Sequence, residues 1–107
     1  MTRGEIWWVD FGIPIGSLPA YRRPVIIMQK ESELNTVFVV PLTTNLIAAD
    51  YSPNVTLTKT ETNLPKDSVA IIHLMGPVNK YSFIEKISKI KEDSYKKIVN
   101  AINTFIS

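Results

Sequence analysis

Thr36-Val37-Phe38-Val39-Val40-Pro41-Leu42 decides the fold. Every position after the threonine is apolar, and valine dominates, which is the pattern of a strand buried on both faces. Such a strand is central and needs a partner along each edge. Pro41 has no N–H to give to a ladder, so it belongs where that ladder ends or bulges.

Working outward, Val25 to Gln29 reads as a second strand and Glu5-Ile6-Trp7-Trp8-Val9-Asp10 as a first, both rich in aromatic or β-branched residues. Between them, Phe11 to Arg22 carries Gly12, Pro14, Gly16 and Pro19, so it reads as a loop longer than a tight hairpin requires. Lys30 to Leu34 is a polar connection. After the central strand, Asn45 to Tyr51 fits a short helical turn and Asn54 to Thr58 a fourth strand. Thr60 to Lys66 is polar connection. Ser68 to Met75 forms one apolar run, the expected fifth strand, which Gly76-Pro77 should break. Asn79 to Phe83 is a turn, and Ile84 to Ile90 alternates as an edge strand would. At the end, Tyr95, Ile98, Val99, Ile102, Phe105 and Ile106 follow the spacing of one helical face. Glu92 and Asp93 favour the positive end of that helix. Trp7, Trp8, Val9, Phe38, Val39, Ile71 and Ile72 read as core. Neighbouring strand residues face opposite sides, so one tryptophan must point away from the other, toward an interface or groove. The sum is mainly β (α+β): a small SH3-like antiparallel β-barrel with a C-terminal α-helix.

With 107 residues the chain suits a single domain, residues 1–107, around one modest core. Hydrophobic residues at 45% exclude a disordered chain. No apolar run approaches a membrane span. The first strand begins too early to leave room for a signal peptide, which points to the cytoplasm. The absence of cysteine excludes disulfides, zinc–thiolate sites and thiol catalysis. A single histidine further disfavours a protein-built metal site, so no metal and no cofactor is expected. The net charge of +2 is weak for a duplex binder. Lysines clustered between Lys80 and Lys97 read as a solvated face. A single-stranded RNA or an acidic protein remains compatible as a partner.

The candidate chemistry sits at two strand ends. Tyr21-Arg22-Arg23-Pro24 opens the second strand, and Thr43-Thr44-Asn45 closes the third. If those strands are neighbours, a guanidinium and a hydroxyl converge beside one cleft. A guanidinium stays charged and grips phosphate in a fork, which suits catalysis on a phosphodiester without a metal.

Several pieces together make a more specific signal: Arg3-Gly4-Glu5-Ile6-Trp7, Gly16-Ser17, Arg23-Pro24-Val25, Asn35-Thr36-Val37, Pro41-Leu42-Thr43, Asn45-Leu46, Asn54-Val55 and Leu64-Pro65-Lys66-Asp67-Ser68-Val69. In this order and spacing the chain resembles the MazF/PemK (Kid-like) toxins of bacterial toxin–antitoxin systems. The resemblance implies a MazF/CcdB-like barrel that forms a homodimer. It implies a metal-independent endoribonuclease that cuts single-stranded RNA at short sequences, leaving a 2′,3′-cyclic phosphate and a 5′-hydroxyl. It also implies neutralisation by a cognate antitoxin of the MazE kind. On the same resemblance Arg23 is catalytic, stabilising charge on the phosphate, and Thr43 holds a phosphate oxygen or the 2′-hydroxyl. Gly16 and Ser17 belong to a loop flanking the RNA groove. Tyr21 stacks on a base or packs the loop. Arg22 and Thr44 join the RNA-binding set, while Asn45 reads a base edge or caps the following turn.

The chain also departs from the family pattern. Leu18 replaces a common acid, and Leu74 and Gly76 replace polar residues. His73 stands where some members carry an acid proposed as general base. Its imidazole can take a proton at neutral pH, or it is simply satisfied at a strand end. Two other readings stay open: a gyrase-directed toxin of the same fold, and an inactive member retained for binding.

Overall fold

The structure, a computed structural model, describes residues Met1–Ser107. One antiparallel sheet holds seven strands: β1 Glu5–Asp10, β2 Arg22–Ile27, β3 Thr36–Thr43, β4 Val55–Leu57, β5 Ser68–Ala70, β6 Gly76–Asn79 and β7 Phe83–Lys89. The order is β4-β5-β3-β2-β1-β7, with β6 paired to β3. A one-turn helix, α1 Lys59–Thr62, precedes β5, and α2 Glu92–Ile106 closes the chain.

β3 is central, as its apolar run requires. One edge pairs with β2. The other is shared, with Thr36–Val39 against β6 and then Leu42 and Thr43 against β5. Pro41 falls at the changeover, and its carbonyl accepts the Ile71 N–H at 2.9 Å. A residue without an N–H costs the sheet least at such a break.

The same geometry corrects the expected fifth strand. Ser68 to Met75 is not continuous: β5 ends at Ala70, Ile72–Leu74 makes a 3₁₀ turn, and a new strand follows. Gly76-Pro77 does not break that strand but opens it, with Pro77 opposite Phe38. The turn lets β5 and β6 lie end to end along one edge of β3. Because β6 pairs on one side only, the missing Pro77 N–H leaves no partner unsatisfied. The polar connection after β4 is also more ordered than expected. Thr58 and Glu61 form a reciprocal capping box around α1.

Strand alternation sorts the apolar side chains onto two faces. Ile6, Ile26, Val40 and Leu42 pack with Leu57, Ile72, Tyr95 and Ile98 beneath α2. Val9, Val25, Ile27, Val37 and Val39 form a second core, completed by Trp7, Phe11, Val78 and Phe83. The β1–β7 register shifts between Ile6 and Trp7 and again between Trp8 and Val9. Bulges of this kind increase twist and help a sheet curl on itself.

α2 buries Tyr95 and Ile98, and the Tyr95 hydroxyl donates to the Met28 carbonyl at 3.2 Å. Arg3 lies 5.5 Å from the centre of the same ring. Phe105 and Ile106, expected on the buried face, are exposed, at 47% and 64%. Glu61 ties α1 to α2, accepting from the Thr58 N–H at 3.0 Å, Ser94 Oγ at 2.7 Å and Lys97 Nζ at 2.9 Å. Burial opposes its ionisation but is outweighed by these bonds and the Lys97 charge, so its pKa is lowered to about 2. Glu5 behaves alike. Burial is outweighed by bonds from Trp7 Nε1 and Thr2 and by the charge of Lys86, and its pKa is also lowered to about 2.

Candidate active site

β1 and β2 form a hairpin whose long loop is closed at its neck. The Phe11 N–H donates to the Tyr21 carbonyl at 2.7 Å, and the Tyr21 N–H to the Gly12 carbonyl at 2.6 Å. Asp10 Oδ1 accepts the Gly12 N–H at 2.8 Å. Closing the neck forces Tyr21 to a φ of 57°, a left-handed conformation rare for an aromatic residue. Backbone strain of this kind costs about 1–3 kcal/mol and clusters at functional sites. Its effect here is to deliver Arg22 and Arg23 to the rim of the sheet, opposite Asp10 and Val9.

Val25 pairs with Pro41, so continuing the register by two residues sets Arg23 against Thr43. Both residues line one cleft of about 320 Å³, with Tyr21, Arg22 and Thr44. The expected convergence of guanidinium and hydroxyl is therefore what the strands produce. Arg23 makes no ion pair with a carboxylate. Its Nε is buried without a hydrogen-bond partner. A buried unpaired donor costs about 1–3 kcal/mol, and in a native fold it calls for an explanation. Thr43 Oγ1 accepts the Asn45 N–H at 3.1 Å, which leaves the hydroxyl hydrogen free to be donated. Asn45 Oδ1 caps the 3₁₀ turn at Leu46–Asp50 through the Ile47 N–H at 3.3 Å. Of its two expected roles, the capping one is the contact present.

Other candidates fall elsewhere. Gly16 and Ser17 lie exposed in the loop, outside the Arg23 cleft. His73 sits on the 3₁₀ turn between β5 and β6 and does not line that cleft. Its Nδ1 is 3.1 Å from Asn54 Oδ1, which also accepts the Ile72 N–H at 2.9 Å. Asn54 Oδ1 can only accept, so Nδ1 is the donor in this contact. Leu18, Leu74 and Gly76 share a mainly apolar groove of about 360 Å³ with Phe11, Val39 and Pro41. The losses of polarity noted in the sequence thus fall on one surface. No group of three or more His, Asp or Glu side chains is placed to hold a metal ion.

Of the two tryptophans, Trp8 is the one that points away from the core, 36% exposed and lining the Arg23 cleft. Trp7 behaves as expected, its indole N–H bonded to Glu5 and its ring edge-on to Phe83 at 6.0 Å. Alternation alone does not separate them; the β1–β2 register does, setting Trp8 opposite Pro24, beside the arginine.

A curled antiparallel sheet with an unpaired arginine and a free hydroxyl at one rim defines a small barrel built to meet an anion. The chain belongs to the PemK-like, MazF-like toxins of type II toxin–antitoxin systems, whose family model matches residues 2–106. Among curated relatives, the endoribonuclease MazF6 of Mycobacterium tuberculosis is 37% identical over 94 residues, covering 84% of this chain and 82% of its own. The MazF crystal structure from Deinococcus radiodurans superposes with a TM-score of 0.82 at 17% identity, covering 99% of this chain and 96% of that one. A mycobacterial endoribonuclease solved in complex with its cognate antitoxin gives a TM-score of 0.75 at 16% identity, covering 99% and 92%.

Proposed function

We propose that this toxin cuts single-stranded RNA at the Arg23–Thr43 cleft. It is an RNA-cleaving enzyme of its family, and the observation that carries the site is the pairing of an unpartnered guanidinium with a free hydroxyl in one cleft. In the proposed reaction the ribose 2′-oxygen attacks the adjacent phosphorus as its proton passes to water. The P–O5′ bond breaks, and the departing 5′-oxygen takes a proton from solvent, leaving a 2′,3′-cyclic phosphate and a 5′-hydroxyl. Arg23 faces the non-bridging oxygens, where negative charge grows, and Thr43 donates to one of them. Preorganised donors aimed at developing charge are usually the largest catalytic term. None of these steps calls on a metal.

His73 enters as an outer candidate, held by Asn54 away from this cleft. Around the chemistry we place a cognate antitoxin of the MazE kind, a homodimer as the working form and the cytoplasm as the compartment. No helix is long and apolar enough to cross a membrane. The single arginine–threonine cleft favours cleavage over a gyrase-directed or inactive toxin. The test is cleavage of a long single-stranded RNA in EDTA, with wild type beside Arg23→Ala. Discrete fragments from wild type alone, ending in cyclic phosphate, are expected. Intact RNA with folded wild type overturns the reading.

A further inference from the structure

Trp8 lines not one cleft but three. It borders the Arg23–Thr43 cleft, a second cleft with Arg22, Ile84 and Glu85, and a third of about 330 Å³ against Leu64, Pro65 and Lys66. The first and third also share Pro24 and Thr44, so they lie side by side with Trp8 between them. The walls of the third are mainly apolar, and its polar groups are Lys66, Thr44 and Ser68. Its occupant therefore needs a flat or apolar body with a negative charge beside it.

Charge narrows the choice. The cations of Arg3, Lys86 and Lys97 each have a carboxylate partner. Arg22, Arg23 and Lys66, along these clefts, have none, as is true of most lysines, and Glu85, which shares the cleft of Arg22, makes no ion pair with it. The nearest acid to Lys66 in sequence, Asp67, is engaged by the Lys59 N–H at 2.8 Å. Trp8 makes no hydrogen bond through its indole N–H, whereas Trp7 does. A row of free cations with an aromatic face between them is how proteins hold single strands: phosphates on the cations, a base on the ring.

We infer that the Trp8–Pro65 cleft is a base-binding subsite for the nucleotide next to the cleaved bond, with Lys66 on the following phosphate. This rests on the ribonuclease reading and adds a residue set that the family resemblance does not supply. The subsite contributes binding and register rather than chemistry, so its loss raises KM more than it lowers kcat.

The experiment uses the full chain and a short single-stranded RNA spanning a mapped cut site. A 2′-O-methyl version, which cannot be cleaved, reports binding. Trp8→Ala is expected to weaken binding by about 5- to 150-fold, the range for one stacked base. Trp8→Phe should keep most of it. Replacing the base next to the cut with an abasic unit should weaken wild type but cost Trp8→Ala little more. Lys66→Ala, on an exposed side chain, guards against misfolding of the tryptophan variant. It should raise KM and reduce the slope of log affinity against log salt by about 0.7. If Trp8→Ala and Lys66→Ala cut and bind RNA like wild type while Arg23→Ala is inactive, the subsite is wrong and the catalytic reading stands. Normal RNA cleavage with weakened antitoxin binding would make this a protein-binding surface and also overturn it. Folded wild type that neither cuts nor binds RNA removes both readings.

Discussion

The α1–α2 junction and the rim at Arg23 treat charge in opposite ways. At the junction Glu61 satisfies a backbone N–H, a serine and a lysine at once. At the rim Arg22, Arg23 and Lys66 have no carboxylate, and Arg23 Nε has no partner at all. The helix side is a finished frame. The rim is a set of donors held ready by that frame. Glu5, Glu31, Glu61 and Glu92 are taken up by ion pairs with Lys86, the N-terminus, Lys97 and Arg3, while the rim cations have no such partner.

The sharpest break in this contrast is Arg23→Ala. Cleavage should fall by about 10²–10³-fold, the usual cost of removing one donor to developing charge. Thermal stability should hold or rise slightly, because a buried unpaired donor is removed. An equal loss of fold and activity would mean that Arg23 belongs to the frame.

Next in size is the acid limb. Glu5 and Glu61 bind protons less readily folded than unfolded, with pKa values lowered from 4.5 to about 2. Their contribution to stability is complete above about pH 4.5 and is lost as pH falls toward 2. Urea midpoints across that window should fall steadily. Glu61→Gln should lower the midpoint at pH 7 and flatten the acid limb, with cleavage by the folded fraction intact.

Ile98→Val probes the frame by one methylene. It should cost about 0.5–1.5 kcal/mol at a fully buried position without changing the cut pattern. The smallest expected effect is at His73. His73→Ala should change kcat by less than about tenfold with the pH–rate profile preserved, against the 10²–10⁴ typical of a general base. A larger loss with a shifted profile would bring the β5–β6 turn into the mechanism.

Strand identity was legible because alternation and β-branching report directly on pleat and burial. The Arg23–Thr43 convergence was legible for the same reason: both lie at strand ends, where register leaves little freedom. What escaped was where one neighbour stops and another begins. Ser68 to Met75 reads as one strand because an apolar run carries no mark of a crossover. Alternation shows that one tryptophan faces out, but only the β1–β2 register, with Trp8 opposite Pro24, shows which one. Phe105 and Ile106 keep the helical stripe, but the packed part of that stripe ends at Ile102. His73 was placed at a strand end, and the 3₁₀ turn carries it to Asn54 instead.

The two hydrogen bonds at the Phe11–Tyr21 neck have an evolutionary consequence. They fix both ends of the loop independently of what lies between. Residues 13–20 can drift, lengthen or be exchanged without moving Arg23, since loop length itself adds little closure cost. Such a loop is a replaceable cassette, through which a lineage can vary what approaches the rim while inheriting the same chemistry unchanged.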